Sequence, residues 1–175
     1  MGLFRLANEK LGEDEANVVR NLLNAWNQID LGNDIDAAQV VVSLAQKYIE
    51  VAKNDCIAFN KQGFDSIVKE LNVLLTDIRE PAKLNLFKDK NYTSLRLYLM
   101  QQQALMGELD GKESGGKARM VRVLAILESD PSAISPSQLQ IEKETFASLQ
   151  KQVGEQRRQV QIRIDLINQQ LKAYQ

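Results

Sequence analysis

The sequence predicts an all-α protein, an elongated bundle of five to six helices ending in a long C-terminal helix with partial heptad character. Three observations carry this expectation. Nine glycines and three prolines interrupt 175 residues, so long helices are permitted. No stretch alternates apolar and polar residues as a half-buried strand does. From Ser135 onward, Leu139, Phe146, Val153, Val160, Ile167 and Tyr174 recur every seven residues.

A first helix is expected from Glu13 to Asp30, its acidic start matched to the positive end of the helix dipole, with Val18, Val19, Leu22, Ala25, Trp26 and Ile29 on one face. Before it, Leu3, Phe4 and Leu6 suit a short helix tucked onto the bundle. Met1-Gly2 begins a myristoylation pattern, but Leu6 stands where Ser or Thr is needed. Gly32 ends the first helix. Asp34 caps a second, reaching Asn60, whose inward stripe is Val41, Ala45, Tyr48, Ala52, Cys56 and Phe59.

Gly63 breaks the chain, and Phe64, Ile67, Val68, Leu71, Leu74, Leu75 and Ile78 then mark a third helix that Pro81 stops near Arg79. Residues 82–92 read as a connector with one short helical turn. Thr93 or Ser94 caps a fourth helix to Leu109, with Gln102 on its apolar face in need of a hydrogen-bond partner. Residues 110–116 hold three glycines and no apolar side chain, which predicts a flexible loop. A fifth helix follows over Lys117–Ser129, with Met120, Val123, Leu124 and Leu127 inward, until Asp130-Pro131 ends it.

The last helix, 136–174, starts with Ser135 as N-cap, Pro136 in the first turn and Gln138 in a capping-box position. At 1.5 Å per residue it is about 59 Å long, against a diameter of roughly 40 Å for a compact chain of this size. It must bend, lengthen the bundle or protrude. Beyond Leu149 the apolar line passes through Gln156 to Val160 and Ile164, a stutter beside Gly154. Two segments are expected: a narrow-faced one from Pro136 to Val153, and a wide-faced, more deeply covered one from Val160 to Tyr174.

Composition narrows the function classes. Residues 1–175 suit a single helical domain, with 44% apolar and 26% charged residues. There is no histidine, which removes Ser-His-Asp and Cys-His nucleophiles, His-based zinc sites and the commonest neutral-pH base. One cysteine, Cys56, allows neither an internal disulfide nor a thiolate metal centre, and with no secretory-type leader it points to the cytoplasm. The apolar runs are too short to span a membrane. No catalytic residue, metal ligand or cofactor is assigned. Asp30, Asp34 and Asp36 lack the glycine and final glutamate of an EF-hand loop and read as caps.

Net charge is −1, but residues 1–80 carry 8 basic and 13 acidic side chains and residues 81–175 carry 14 and 10. Gly111 to Lys117 fits the first part of a phosphate-binding loop, but Ala118 replaces the Ser or Thr that holds magnesium and no strand precedes it. A reduced form remains as an expectation: Lys112, Lys117, Arg119 and Arg122, at the start of the fifth helix, receive a phosphate or an acidic side chain. Arg157 and Arg158, with Arg163, form a second basic cluster on the last helix.

The favoured reading is a non-enzymatic assembly or adaptor protein that associates through helix–helix contact. Leu139, Phe146, Leu149, Val153, Val160, Ile164, Ile167 and Leu171 form a coiled-coil-like interface to its own copy or to another helical protein. The alternative is a small helical subunit of a ribonucleoprotein or viral complex, touching nucleic-acid backbone through the basic C-terminal half.

Overall fold

In a computed structural model, the backbone of residues 2–57 and 60–175 is described, with side chains from residue 13 onward over the same ranges. Among these residues the chain is all helix and turn: α1 (Gly2–Asn27), α2 (Ile35–Ile57), α3 (Lys61–Asp77), α4 (Pro81–Leu86), α5 (Lys90–Ser129), α6 (Pro136–Leu171) and a closing 3-10 turn, Lys172–Tyr174. The packing follows chain order. α1 lies on α2, α2 on α3, α3 on α5 and α5 on α6, with α4 filling the end between α2 and α3.

α2 is the centre of the main core because its inward face is made mostly of small or compact residues. Ala37, Ala38, Val41, Ala45, Tyr48 and Ala52 are all at most 1% exposed. Alanines let the neighbouring helices approach closely, and Tyr48 fills the space they leave, its hydroxyl donating to the Arg96 carbonyl at 3.2 Å. Cys56 is buried on the same stripe, while Phe59 lies outside the described residues. α1 contributes Val19 and Trp26, with Val18 and Ala25 turned to solvent. Its helix begins at Gly2 rather than near Glu13, and the side chains of Leu3, Phe4 and Leu6 lie outside the described residues.

Gly63 does not separate α2 from α3; it sits in the first turn of α3, where the Asn60 side chain caps the helix by accepting from Gly63 N at 3.3 Å. Pro81 opens α4 instead of merely ending α3, as a residue without an N–H suits a first turn. Asp89, not Thr93 or Ser94, caps α5, taking the Asn91 N–H at 2.8 Å.

The largest departure from the sequence reading lies at residues 110–116, expected as a loop and found inside α5, which runs unbroken for 40 residues. Gly111, Gly115 and Gly116 each disfavour helix by about 1 kcal/mol relative to Ala. Packing across α5 and α6 offsets this. Gly116 leaves room for Leu149, whose Cδ2 would stand 2.5 Å from a Cβ placed there, and the Arg157 guanidinium holds both Asp110 and Glu113.

α5 and α6 form an antiparallel hairpin about 60 Å and 54 Å long in its two legs. Asn91 with Tyr174, Gln102 with Arg163 and Gly116 with Leu149 are each equidistant from the centre of the connecting turn, so the register holds without insertion along the hairpin. The turn is built by Asp130, whose carboxylate accepts from the Ser132 N–H and hydroxyl, and by Ser135, whose Oγ caps α6 through Gln138 N at 3.2 Å.

At its base the hairpin is fixed to the bundle by a buried polar knot. Arg96 donates to Asp77 Oδ2 at 3.1 Å and to the Tyr92 hydroxyl at 2.7 Å, and its guanidinium lies over the Phe87 and Tyr92 rings. Tyr174 then packs on Tyr92 with ring centroids 5.2 Å apart, tying the end of the chain to the start of α5.

Candidate functional site

Beyond Leu109 and before Val153 no side chain is fully buried, so residues 110–152 form a two-helix arm standing off the bundle. The α5 side of the seam is Leu99, Gln102, Met106, Leu109, Glu113, Gly116, Met120, Val123 and Leu127, in alternating steps of three and four, every one buried or half-buried. Opposite it stand the eight apolar residues expected to meet a partner. Leu149, Val153, Val160 and Ile164 cluster with Leu109 of the same chain, and Leu171 packs on the main core. Ile167 is buried, and Leu139 and Phe146 are half-buried along the arm. The structure therefore spends Phe146, Leu149, Val153, Val160 and Ile164 on α5, which supplies their covering helix.

The line does not step through Gln156, which is exposed; Arg157 takes the half-buried place beside it. Val153, Val160 and Ile167 keep the seven-residue spacing through this point, within one continuous helix. Gly154 faces open space. The second half is less wide-faced than expected, since Ile162 and Leu166 are both more than half exposed.

The basic residues are dispersed by the same geometry. Lys117 and Arg119 are about 200° apart around α5 and cannot serve one anion. Arg119 makes a bidentate pair with Glu142 at 2.9 and 2.7 Å, and Lys117 lies 3.2 Å from Glu113. Arg157 is held by Asp110 at 2.6 Å and by Glu113. These cations hold Glu113 and Glu142 below the ordinary carboxylate range. Lys112, Arg122 and Arg158 point to solvent. With α5 unbroken there is no helix start at Lys117, so the amides meant to receive a phosphate are already bonded within the helix. The phosphate-loop match and the first anion site both lapse for that reason.

The arm also carries large apolar side chains that face outward, among them Leu124, which the sequence places inward. Val121 is 66% exposed, Leu124 49%, Ile126 49% and Ile141 61%. Of the four residues expected inward on the fifth helix, Met120, Val123 and Leu127 are half-buried and Leu124 faces solvent. The available signal was the seam itself: continuing its three-and-four steps from Leu99 skips Val121, Leu124 and Ile126.

A second feature lies between α2 and α5, an open cleft of about 580 Å³ whose lining includes Val51, Leu97, Met100, Glu50, Asp55 and Glu108. Asp55 is buried there, and no donor among the described residues reaches its Oδ2. Burial pushes its carboxyl up to about 6, with an opposing hydrogen bond from Asn60 and a further upward push from Glu108. Position 55 follows Ala52 by three residues and so lies on the buried stripe of α2. Among the described residues, no group of three His, Cys, Asp or Glu side chains is placed to hold a metal, and no helix is long and apolar enough to cross a membrane.

No protein-family model, curated protein or solved structure matches this chain.

Proposed function

We propose that this protein is a non-enzymatic assembly or adaptor protein that acts through helix–helix association, with the α5–α6 arm as its contact element. The observation that carries the reading is the outward exposure of Val121, Leu124, Ile126 and Ile141 on an arm whose own seam is only half-buried. Four large apolar side chains near one end of a two-helix hairpin gain by being covered, each by about 1.5–3 kcal/mol when fully buried. The seam residues of α6 hold the arm straight and are not the contact themselves. Nucleic-acid binding has less support, because Arg119 and Arg157 are neutralised by carboxylates of the same chain.

The test uses photo-crosslinking side chains at positions 126 and 141 of the full chain in its native source, with sedimentation of the purified protein beside it. The reading expects crosslinks to protein that vanish when Val121 and Leu124 are changed together to Asp. A purified chain that sediments as a monomer and crosslinks to nothing would remove the reading.

A further inference from the structure

The exposed residues of α5 are arranged in an order that names a partner. Lys117, Val121, Leu124 and Glu128 follow at steps of four, three and four, so they form one line along the helix, beside the seam and clear of α6. The Lys117 side chain is 60% exposed, Val121 and Leu124 are outward as described, and Glu128 is exposed. Taken from the arm's base to its tip the line is basic, apolar, apolar, acidic. Turned end for end, it presents to itself an acid opposite each base and an apolar residue opposite each apolar one.

We infer that the arm docks on the arm of a second copy of this chain, α5 against α5, antiparallel about a twofold axis passing between Arg122 and Val123. In that register Lys117 meets Glu128 of the second copy, Val121 meets its Leu124, and both contacts are repeated with the roles exchanged, as an isologous interface requires. A different partner protein would need no such symmetry in this chain, and the charge order is what selects a second copy. Ala118 and Ala125 flank the line and let the two helices approach closely. The Lys117–Glu113 pair, four residues apart with its ammonium exposed and its carboxylate shared with Arg157, is too weak to hold the ammonium from an intermolecular acid. Two hairpins joined in this way make a four-helix unit with the two bundles at opposite ends. Ile126 and Ile141 lie off this line and remain open to other proteins.

The inference rests on the proposed function and narrows it to self-association. Sedimentation equilibrium of the full chain from about 1 to 100 µM is expected to show a monomer–dimer equilibrium. V121D with L124D is expected to weaken it at least about 100-fold with an unchanged helical melt, since both positions are exposed. K117E and E128K should each weaken it roughly tenfold, because each places two like-charged pairs in the interface, and K117E/E128K should return it to within about threefold of the natural chain. A double swap as weak as the single ones overturns the inference. So does a natural chain that is monomeric at about 100 µM. In that case crosslinks from position 126 or 141 to a different protein would leave the broader reading standing, and their absence would remove both.

Discussion

Gly107 of α5 and Gly63 of α3 meet backbone to backbone: a Cβ on Gly107 would lie 2.6 Å from the Gly63 Cα. This contact sets how closely α3 crosses α5, and hence how the base of the hairpin seats on the bundle. The nearest atom a side chain at Gly107 would meet is main chain, which cannot swing aside, with the Asn60 side-chain amide 3.3 Å away. Gly107→Ala is expected to lower stability by about 2 kcal/mol despite the better helix propensity of Ala, measured by urea unfolding. An unchanged or raised midpoint would show that the crossing is looser than this.

Gly115 and Gly154 are the opposite case, with nothing within 4 Å of the position a Cβ would take. Both lie inside continuous helix, on α5 and α6. Alanine at either should raise stability by about 0.5–1 kcal/mol, and the two gains should add because the sites share no neighbour. A loss at Gly154 would mean that α6 bends there in solution.

Arg96 and Asp77 are both buried, and their pair is anchored further by the Tyr92 hydroxyl. Removing one partner strands a charge in the core. Asp77→Ala is expected to reduce stability by about 3 kcal/mol, whereas Arg96→Met combined with Asp77→Leu should recover most of that loss. Thermal melts of the three variants give the comparison, and a double variant as unstable as the single would show that the pair does more than satisfy itself.

Asp55 gives the chain a pH dependence of known sign. Its folded value of about 6 lies above the ordinary 3.8, so the folded state holds the proton more tightly than the unfolded one. The stability this provides is fully present below 3.8 and is lost as the pH rises through about 6. Asp55→Asn keeps an acceptor for the Asn60 amide and cannot ionise. The variant should match the natural protein near pH 4 and exceed it by on the order of 1–2 kcal/mol near pH 8. Parallel stability curves for the two across that range would refute the assignment.

Helices could be read from the residues alone wherever local chemistry was unopposed. Ser135 caps α6 as its side chain dictates, the α2 stripe from Val41 to Cys56 is buried as its spacing requires, and Gln102 on an apolar face finds its partner in Arg163. Those are rules of one helix and its nearest turn. The fate of residues 110–116 depended on long-range packing, because the reasons they stay helical, Leu149 over Gly116 and Arg157 on Asp110 and Glu113, come from a helix some forty residues further along. Long-range packing likewise decided that the heptad line of α6 meets α5. A periodic apolar face states that something must cover it, and a single sequence does not say what. Once α5 was unbroken it supplied that cover, and the apolar residues left outside were Val121, Leu124, Ile126 and Ile141, on helix faces the seam does not use.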